Sequence, residues 1–192
     1  GIGRSESTAR ALGVFLKSCY AAKKPLVLDA DALNIISDNP DLLDFIPARS
    51  VITPHAGEFD RLFGAQNSHG TRTLMALEMA QRYNIVILLK GPKTFTIWPD
   101  GSILVNSSGT EALATAGSGD VLTGLLAGLM AQKIMPEIAA AVGAYIHGVA
   151  GRIAARTCGI QGTTAEDIAD AIGPAIDTIL NPRPAGAKNL SI

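Results

Sequence analysis

Four short stretches carry residue types suited to a phosphorylated ligand. In Ala116-Gly117-Ser118-Gly119-Asp120 a glycine turn runs into a long apolar segment, with one carboxylate at the junction. Gly117 and Gly119 let backbone N–H groups approach a ligand without Cβ interference. The first N–H groups of a helix lack intrahelical partners and carry the positive end of the dipole, so Gly117, Ser118 and Gly119 form an anion site suited to phosphate. Asp120 stands beside that site either as a general base or metal-associated carboxylate, or as a helix cap over a tight turn. A bare G-x-G-D leaves these readings level.

The other three stretches follow apolar runs. Lys90-Gly91-Pro92-Lys93-Thr94 brings a cation, a glycine and a hydroxyl together after Ile85–Leu89; the G-x-x-x-x-G-K-[ST] spacing of a Walker A loop is absent. His55 and Glu58 follow Val51-Ile52-Thr53-Pro54 and, three apart, can share one side of a helix's first turn. Alone, a structural histidine and a dipole-serving glutamate are the plainer reading of that pair, but it again follows a strand end, and the repetition favours a site. Asp29 and Asp31 end Leu26-Val27-Leu28. Asp29 is placed for a polar or metal-linked role, whereas Asp31 reads better as the cap of the next helix. Gly1-Ile2-Gly3 is a further glycine turn, weak evidence by itself.

These residues need elements to hold them. Apolar residues Ala9, Leu12, Leu16 and Tyr20 predict a helix capped by Ser5 or Ser7. Thr71 to Tyr83 reads as an amphipathic helix, and Ile85–Leu89 as a fully buried parallel strand. Phe95–Trp98 and Ile103–Asn106 predict a hairpin around Pro99-Asp100-Gly101-Ser102. Ile138 to Arg156 reads as a helix rich in Ala and Gly, with His147 as a satisfied core or interface histidine. Thr163 or Thr164 opens a last helix running to about Leu180. The alternation of strands and helices predicts an α/β fold with a mostly parallel sheet covered on both faces. In such sheets ligands bind at the carboxyl ends of strands, where Asp29, His55 and Lys90 all fall. Residues 1–180 read as one domain and 181–192, with Pro182, Pro184 and Gly186, as a tail.

Composition narrows the function. Charged residues make up only 17% and the net charge is −1, which argues against a nucleic-acid footprint or a basic membrane patch. The apolar run Val121 to Ala131 is too short to span a bilayer and reads as a buried helix. Cys19 and Cys158 have no motif around them and read as free thiols in a reducing cytoplasm.

Taken together, the ordered set Leu28-Asp29-Ala30-Asp31-Ala32, Thr53-Pro54-His55-Ala56-Gly57-Glu58, Leu89–Thr94 and Ala116–Asp120 resembles the ribokinase-like superfamily. It is more closely similar to the NAD(P)H-hydrate dehydratase family, a carbohydrate-kinase-like domain often fused to an NAD(P)H-hydrate epimerase. Sugar kinases of the superfamily usually show Asn where this chain has His55, and Asp-Thr-x-Gly-Ala-Gly-Asp where it has Ala114–Asp120; both departures favour the dehydratase branch. The resemblance implies a three-layer ribokinase-like fold and the dehydration of (S)-NADHX or (S)-NADPHX with consumption of ADP or ATP. Lys90, Gly91, Pro92, Lys93, Thr94, Gly117, Ser118 and Gly119 would hold the nucleotide. Gly3, His55 and Asp120 would hold the hydrated cofactor, with Asp120 as base. A Mg²⁺ would sit near Asp29 and Glu58 through waters. The resemblance also implies a further N-terminal segment that supplies strands and one substrate contact; the Ala- and Gly-rich helices, taken with that segment, predict a homo-oligomer or a complex with a separate N-terminal chain. Competing readings are a hydroxymethyl or sugar kinase and a nucleotide-binding module without catalysis.

Overall fold

The computed structural model describes residues 1–182; the remainder of the expected tail lies outside them. Five strands, β1 (Val27–Leu28), β2 (Val51–Ile52), β3 (Val86–Leu89), β4 (Phe95–Ile97) and β5 (Ile103–Val105), lie side by side in chain order. β1, β2 and β3 pair in parallel, with Val27 opposite Val51 and Val51 opposite Val86. β3, β4 and β5 pair antiparallel. The sheet of the described residues is therefore evenly mixed rather than mostly parallel. The hairpin supplies the antiparallel half, turning at Gly101, whose φ of +98° favours glycine.

Helices α1 (Glu6–Ala21), α2 (Asp31–Asp38), α3 (Ala56–Phe63) and α4 (His69–Tyr83) precede the hairpin; α5 (Ser118–Ala131), α6 (Pro136–Cys158), α7 (Ala165–Asp170) and α8 (Ile172–Leu180) follow it. The side-chain alternation of a strand assigns them to opposite faces of the sheet. Leu28, Ile52, Ile87 and Leu89 pack with Leu16, Leu33, Phe59 and Ala80 of the first four helices. Val51, Val86 and Leu88 pack on the other side with Leu122 and Leu126 of α5 and Ala140 and Ala144 of α6. A third cluster joins α6 to α7 and α8 through Val149, Ala150, Ile168 and Ala175. Burying each large aliphatic chain contributes about 1.5–3 kcal/mol, so β3, with all four residues buried, is the spine of the core.

Small residues on α6 set how closely its neighbours approach. A Cβ on Gly143 would stand 2.4 Å from Leu126 Cδ2, and one on Gly148 only 2.0 Å from Ser108 Oγ. By length and composition α6 is apolar enough to cross a membrane, a property the sequence reading attached to no segment, but 61% of its apolar window is buried in the fold. The expected last helix is broken in two. Thr164 caps it with Asp167 in a reciprocal box, but Pro174 has no N–H for the Asp170 carbonyl, and the chain re-enters helix at Ile172.

Candidate functional site

Three strand ends and one helix start converge. β2 and β3 run on past their ladders: the Lys90 amide donates to the Pro54 carbonyl at 2.8 Å, and His55 and Lys90 form a parallel bridge. Asp29 follows β1 directly. The Lys90 ammonium lies 2.8 Å from Asp29 Oδ1 and 3.9 Å from Glu58 Oε2. Both carboxylates are buried, with side chains 8% and 7% exposed. The start of α5 closes on this cluster. Thr123 Oγ1 donates to Asp29 Oδ2 at 3.3 Å, and a Cβ on Gly119 would lie 3.4 Å from Asp29 Oδ2 and 3.7 Å from Lys90 Nζ. Lys90 and Gly119, far apart in the chain, are thus neighbours in space.

The turn before α5 is an open donor site. Gly117, at φ +85°, is the N-cap and has no side chain to cap with. Neither the Gly117 nor the Gly119 amide has an acceptor among the described residues, so two N–H groups at the positive end of the dipole remain available to an anion. Asp120 is the third residue of the helix, not its cap, and is exposed. Asp120 is therefore not the N-cap, and it stands in the first turn of α5, next in sequence to the free Gly119 amide. Ser118 is buried, and its hydroxyl meets His147 Nε2 at 3.2 Å. Burial, helped by the positive charge of Lys90, lowers the His147 pKa to about 4. The imidazole is neutral and backs the turn from inside.

His55 caps α3. Its Nδ1 accepts from the amides of Gly57 at 3.0 Å and Glu58 at 3.3 Å, and Glu58 Oε2 accepts from the His55 amide at 2.8 Å. With Nδ1 occupied as an acceptor, the neutral ring carries its proton on Nε2. That edge lies 3.6 Å from Glu58 Oε1, on a side chain 53% exposed. The glycine turn at the chain start is held as well: the Gly3 amide, at φ +78°, donates to Asp31 Oδ2 at 2.9 Å. Asp31 is not the cap of α2. Ala30 occupies that position, at φ 52° and ψ −119°, and Asp31 stands in the first turn with its carboxylate on Gly3. Gly91, Pro92 and Lys93 are exposed, with Pro92 against Gly109 and Gly91 against His69.

Comparisons with known proteins supply the family. The sequence profile of the family described as NAD(P)H-hydrate dehydratase matches residues 1–174. The chain belongs to that family. A bifunctional NAD(P)H-hydrate repair enzyme from Moorella thermoacetica is 45% identical over 76% of this chain and 28% of its own length. The ADP-dependent (S)-NAD(P)H-hydrate dehydratase of Neisseria meningitidis is 40% identical over 77% of this chain and 52% of its own. The ADP/ATP-dependent NAD(P)H-hydrate dehydratase of Bacillus subtilis, co-crystallised with ATP and Mg²⁺, superimposes with a TM-score of 0.76 at 28% identity, covering 92% of this chain and 63% of that one. The chain thus spans about a third to two thirds of the length of the proteins it matches. Its fold is ribokinase-like.

Within this dehydratase-family fold, the oxygen donors Asp29 and Glu58 suit Mg²⁺ in kind. The Lys90 ammonium already lies against both, however, and no group of three or more His, Cys, Asp or Glu side chains converges as a metal site among the described residues. The residues present do not fit a directly coordinated ion. Several supporting residues escaped the sequence reading. Thr123 is an ordinary helical threonine in sequence. Asn106 donates to the Ala144 carbonyl at 3.0 Å and accepts from Ser108, tying the loop behind Pro92 to α6. His69 packs on Phe95 with ring centroids 4.8 Å apart. Only the H-x-x-E spacing of His55 and Glu58 offered a local signal, as a variant of the capping box.

Proposed function

We propose that this chain supplies the nucleotide-dependent dehydratase activity that restores hydrated NADH or NADPH to the reduced cofactor, with ADP or ATP as phosphoryl donor. The observation that carries it is the approach of Gly119 to Lys90 at the strand ends, with the unpaired Gly117 and Gly119 amides and exposed Asp120 all at the start of α5. Residues 1–180 act as one ribokinase-like domain. Lys90 to Thr94 and Gly117 to Gly119 receive the nucleotide; Gly3, His55 and Asp120 receive the hydrated ring.

Hydroxide is a poor leaving group, and the proposed chemistry replaces it. Asp120 accepts the proton of the ring hydroxyl. The oxygen attacks the terminal phosphorus, breaking the bond to the bridging oxygen of the nucleotide, which leaves as AMP from ADP or as ADP from ATP. The free amides and Lys90 offset charge on the transferring group. Phosphate then departs from the ring carbon with the electron pair of the C–O bond. Loss of a proton from the adjacent ring carbon forms the double bond of the reduced cofactor. Mg²⁺ would accompany the phosphates and offset their charge, reaching Asp29 and Glu58 only through waters because Lys90 lies against both carboxylates.

The named bifunctionality of the Moorella relative supports a second, fused activity in the whole protein, which we assign to an epimerase domain. The outer face of α5, where Gly124 and Gly128 have nothing within 4 Å of a built Cβ, supports cover by a second copy or a further N-terminal segment. The free Cys19 and Cys158 suit a reducing cytoplasm. The test is incubation of the complete protein with hydrated NADH and ADP or ATP. The proposal expects reduced-ring absorbance to return with stoichiometric phosphate; accumulation of a phosphorylated product would instead make the protein a kinase.

A further inference from the structure

We propose that the corner Asp29-Ala30-Asp31 is a two-armed brace, with Asp29 and Asp31 as positioning residues for the nucleotide half and the substrate half of the site respectively. This rests on the dehydratase reading for what the two halves bind, but not for the contacts themselves. Asp29 reaches one way. Its Oδ1 takes the Lys90 ammonium at 2.8 Å and its Oδ2 the Thr123 hydroxyl at 3.3 Å. One buried carboxylate therefore joins the end of β3 to the second turn of α5 and keeps the cation and the Gly117–Gly119 amides in one frame. Asp31 reaches the other way and holds the Gly3 amide at 2.9 Å. Between them Ala30 adopts φ 52° and ψ −119°, a conformation that costs a non-glycine residue about 1–3 kcal/mol and persists only where surroundings over-determine it. The strained Ala30 lets the two residues that flank it send their carboxylates to separate partners.

The assignment differs from a metal role for Asp29, because its two oxygens are committed to Lys90 and Thr123. Asp29→Asn in the complete protein removes the ion pair and also a negative charge beside the phosphates. We expect kcat to fall about tenfold or more, the scale of a charge-assisted hydrogen bond, with ADP bound as tightly as before or more tightly. Thr123→Val, which leaves the charges alone, should lower kcat a few fold without changing ADP affinity. Asp31→Asn should raise KM for hydrated NADH about fivefold and leave ADP affinity and kcat within a factor of about two, an allowance for error of roughly 0.4 kcal/mol.

Calorimetric ADP affinity, read apart from turnover, separates failure of the brace from failure of the dehydratase reading. An inactive wild type that still binds ADP would remove the substrate assignment. The brace is overturned if Asp29→Asn leaves kcat intact, if added Mg²⁺ restores its rate, or if the Asp29 and Asp31 variants move the same constant. Should Asp29→Asn fail to fold, an unchanged kcat in Thr123→Val overturns it as well.

Discussion

The floor and the rim of the site are built to opposite rules. On the floor, Asp29, Glu58, Ser118 and His147 are shielded from solvent and paired: Lys90 with Asp29, the His55 amide with Glu58, and Ser118 with His147. On the rim, Asp120, Gly91, Pro92 and Lys93 are exposed, His55 is half open, and the Gly117 and Gly119 amides are unpaired. An unmade hydrogen bond costs most in the interior, so the floor is saturated. The rim can leave groups open because water satisfies them until a ligand arrives. Substitutions on the rim should therefore change chemistry without stability, and those on the floor should change stability first.

The largest expected effect tests the rim. Asp120→Asn cannot accept a proton, and general-base catalysis is worth about 10²–10⁴-fold. Because Asp120 is not the cap of α5, the cost in stability is limited to its interaction with the dipole, about 0.3–1 kcal/mol. Nucleotide affinity should hold or rise as a negative charge leaves the phosphate site. Steady-state dehydration and calorimetric ADP binding check the pair; a variant keeping more than about a tenth of the rate, against that range, would remove Asp120 from proton transfer.

The floor is tested through Gly148. An alanine Cβ there would stand 2.0 Å from Ser108 Oγ and 2.6 Å from the Ser108 carbonyl oxygen. The loop must shift and the Ser108 bonds to Asn106 and the Tyr145 carbonyl must give. Overpacking of this kind costs about 1–3 kcal/mol, and contact with backbone places Gly148→Ala near the upper end. Chemical denaturation should show that loss, whereas Gly13→Ala, in the middle of α1 with Leu42 Cδ2 at an ordinary 3.5 Å from the new Cβ, should stabilise by up to about 1 kcal/mol. Equal effects at the two glycines would break the contrast.

Acid should reach the floor through His147. Its folded pKa is about 4 against 6.5 unfolded, so between these values the unfolded chain binds more protons. The stability from keeping this imidazole neutral is therefore full above about pH 6.5 and is lost as pH falls towards 4. The shift corresponds to about 3–4 kcal/mol at most. His147→Gln should flatten the stability profile over that window; an unchanged profile would mean that the ring titrates freely.

The same division explains what was legible in sequence. Rim residues announce themselves because glycines, a cation and a carboxylate after apolar runs have few reasons to be there. The order of those motifs identified the family, and the buried run Ile85–Leu89 located the central strand. What does not announce itself is how the floor pairs: Asp29, Glu58, Ser118 and His147 stand out by type, but their partners do not. Thr123 meets Asp29 across 94 positions, and no local spacing encodes that. Asp31 was misread as a cap because its type fits one, whereas the backbone at Ala30 moved the helix start. The break before Ile172 was visible in principle at Pro174, whose missing N–H cannot continue the ladder.

The smallest expected effect lies at the boundary, where His55 belongs to both regions. Nδ1 caps α3, while Nε2 stands 3.6 Å from Glu58 Oε1 on a side chain 53% exposed. Asparagine is among the best N-cap residues, and its Oδ1 can take the place of Nδ1 towards the Gly57 and Glu58 amides. His55→Asn should thus change stability by no more than about 0.5 kcal/mol. What asparagine cannot reproduce is an N–H at the distance of Nε2. If that proton donates to the hydrated ring, KM for the substrate should rise about fivefold, the worth of one hydrogen bond near 1 kcal/mol. ADP affinity should not move, because the ammonium and free amides on the nucleotide side are untouched. His55→Ala should raise KM by a similar factor and in addition lose about 1 kcal/mol of stability with the cap. Thermal melts and substrate titrations of the two variants separate the halves of the residue: a similar KM with different melting points supports both roles, whereas an unchanged KM in His55→Asn confines His55 to the cap.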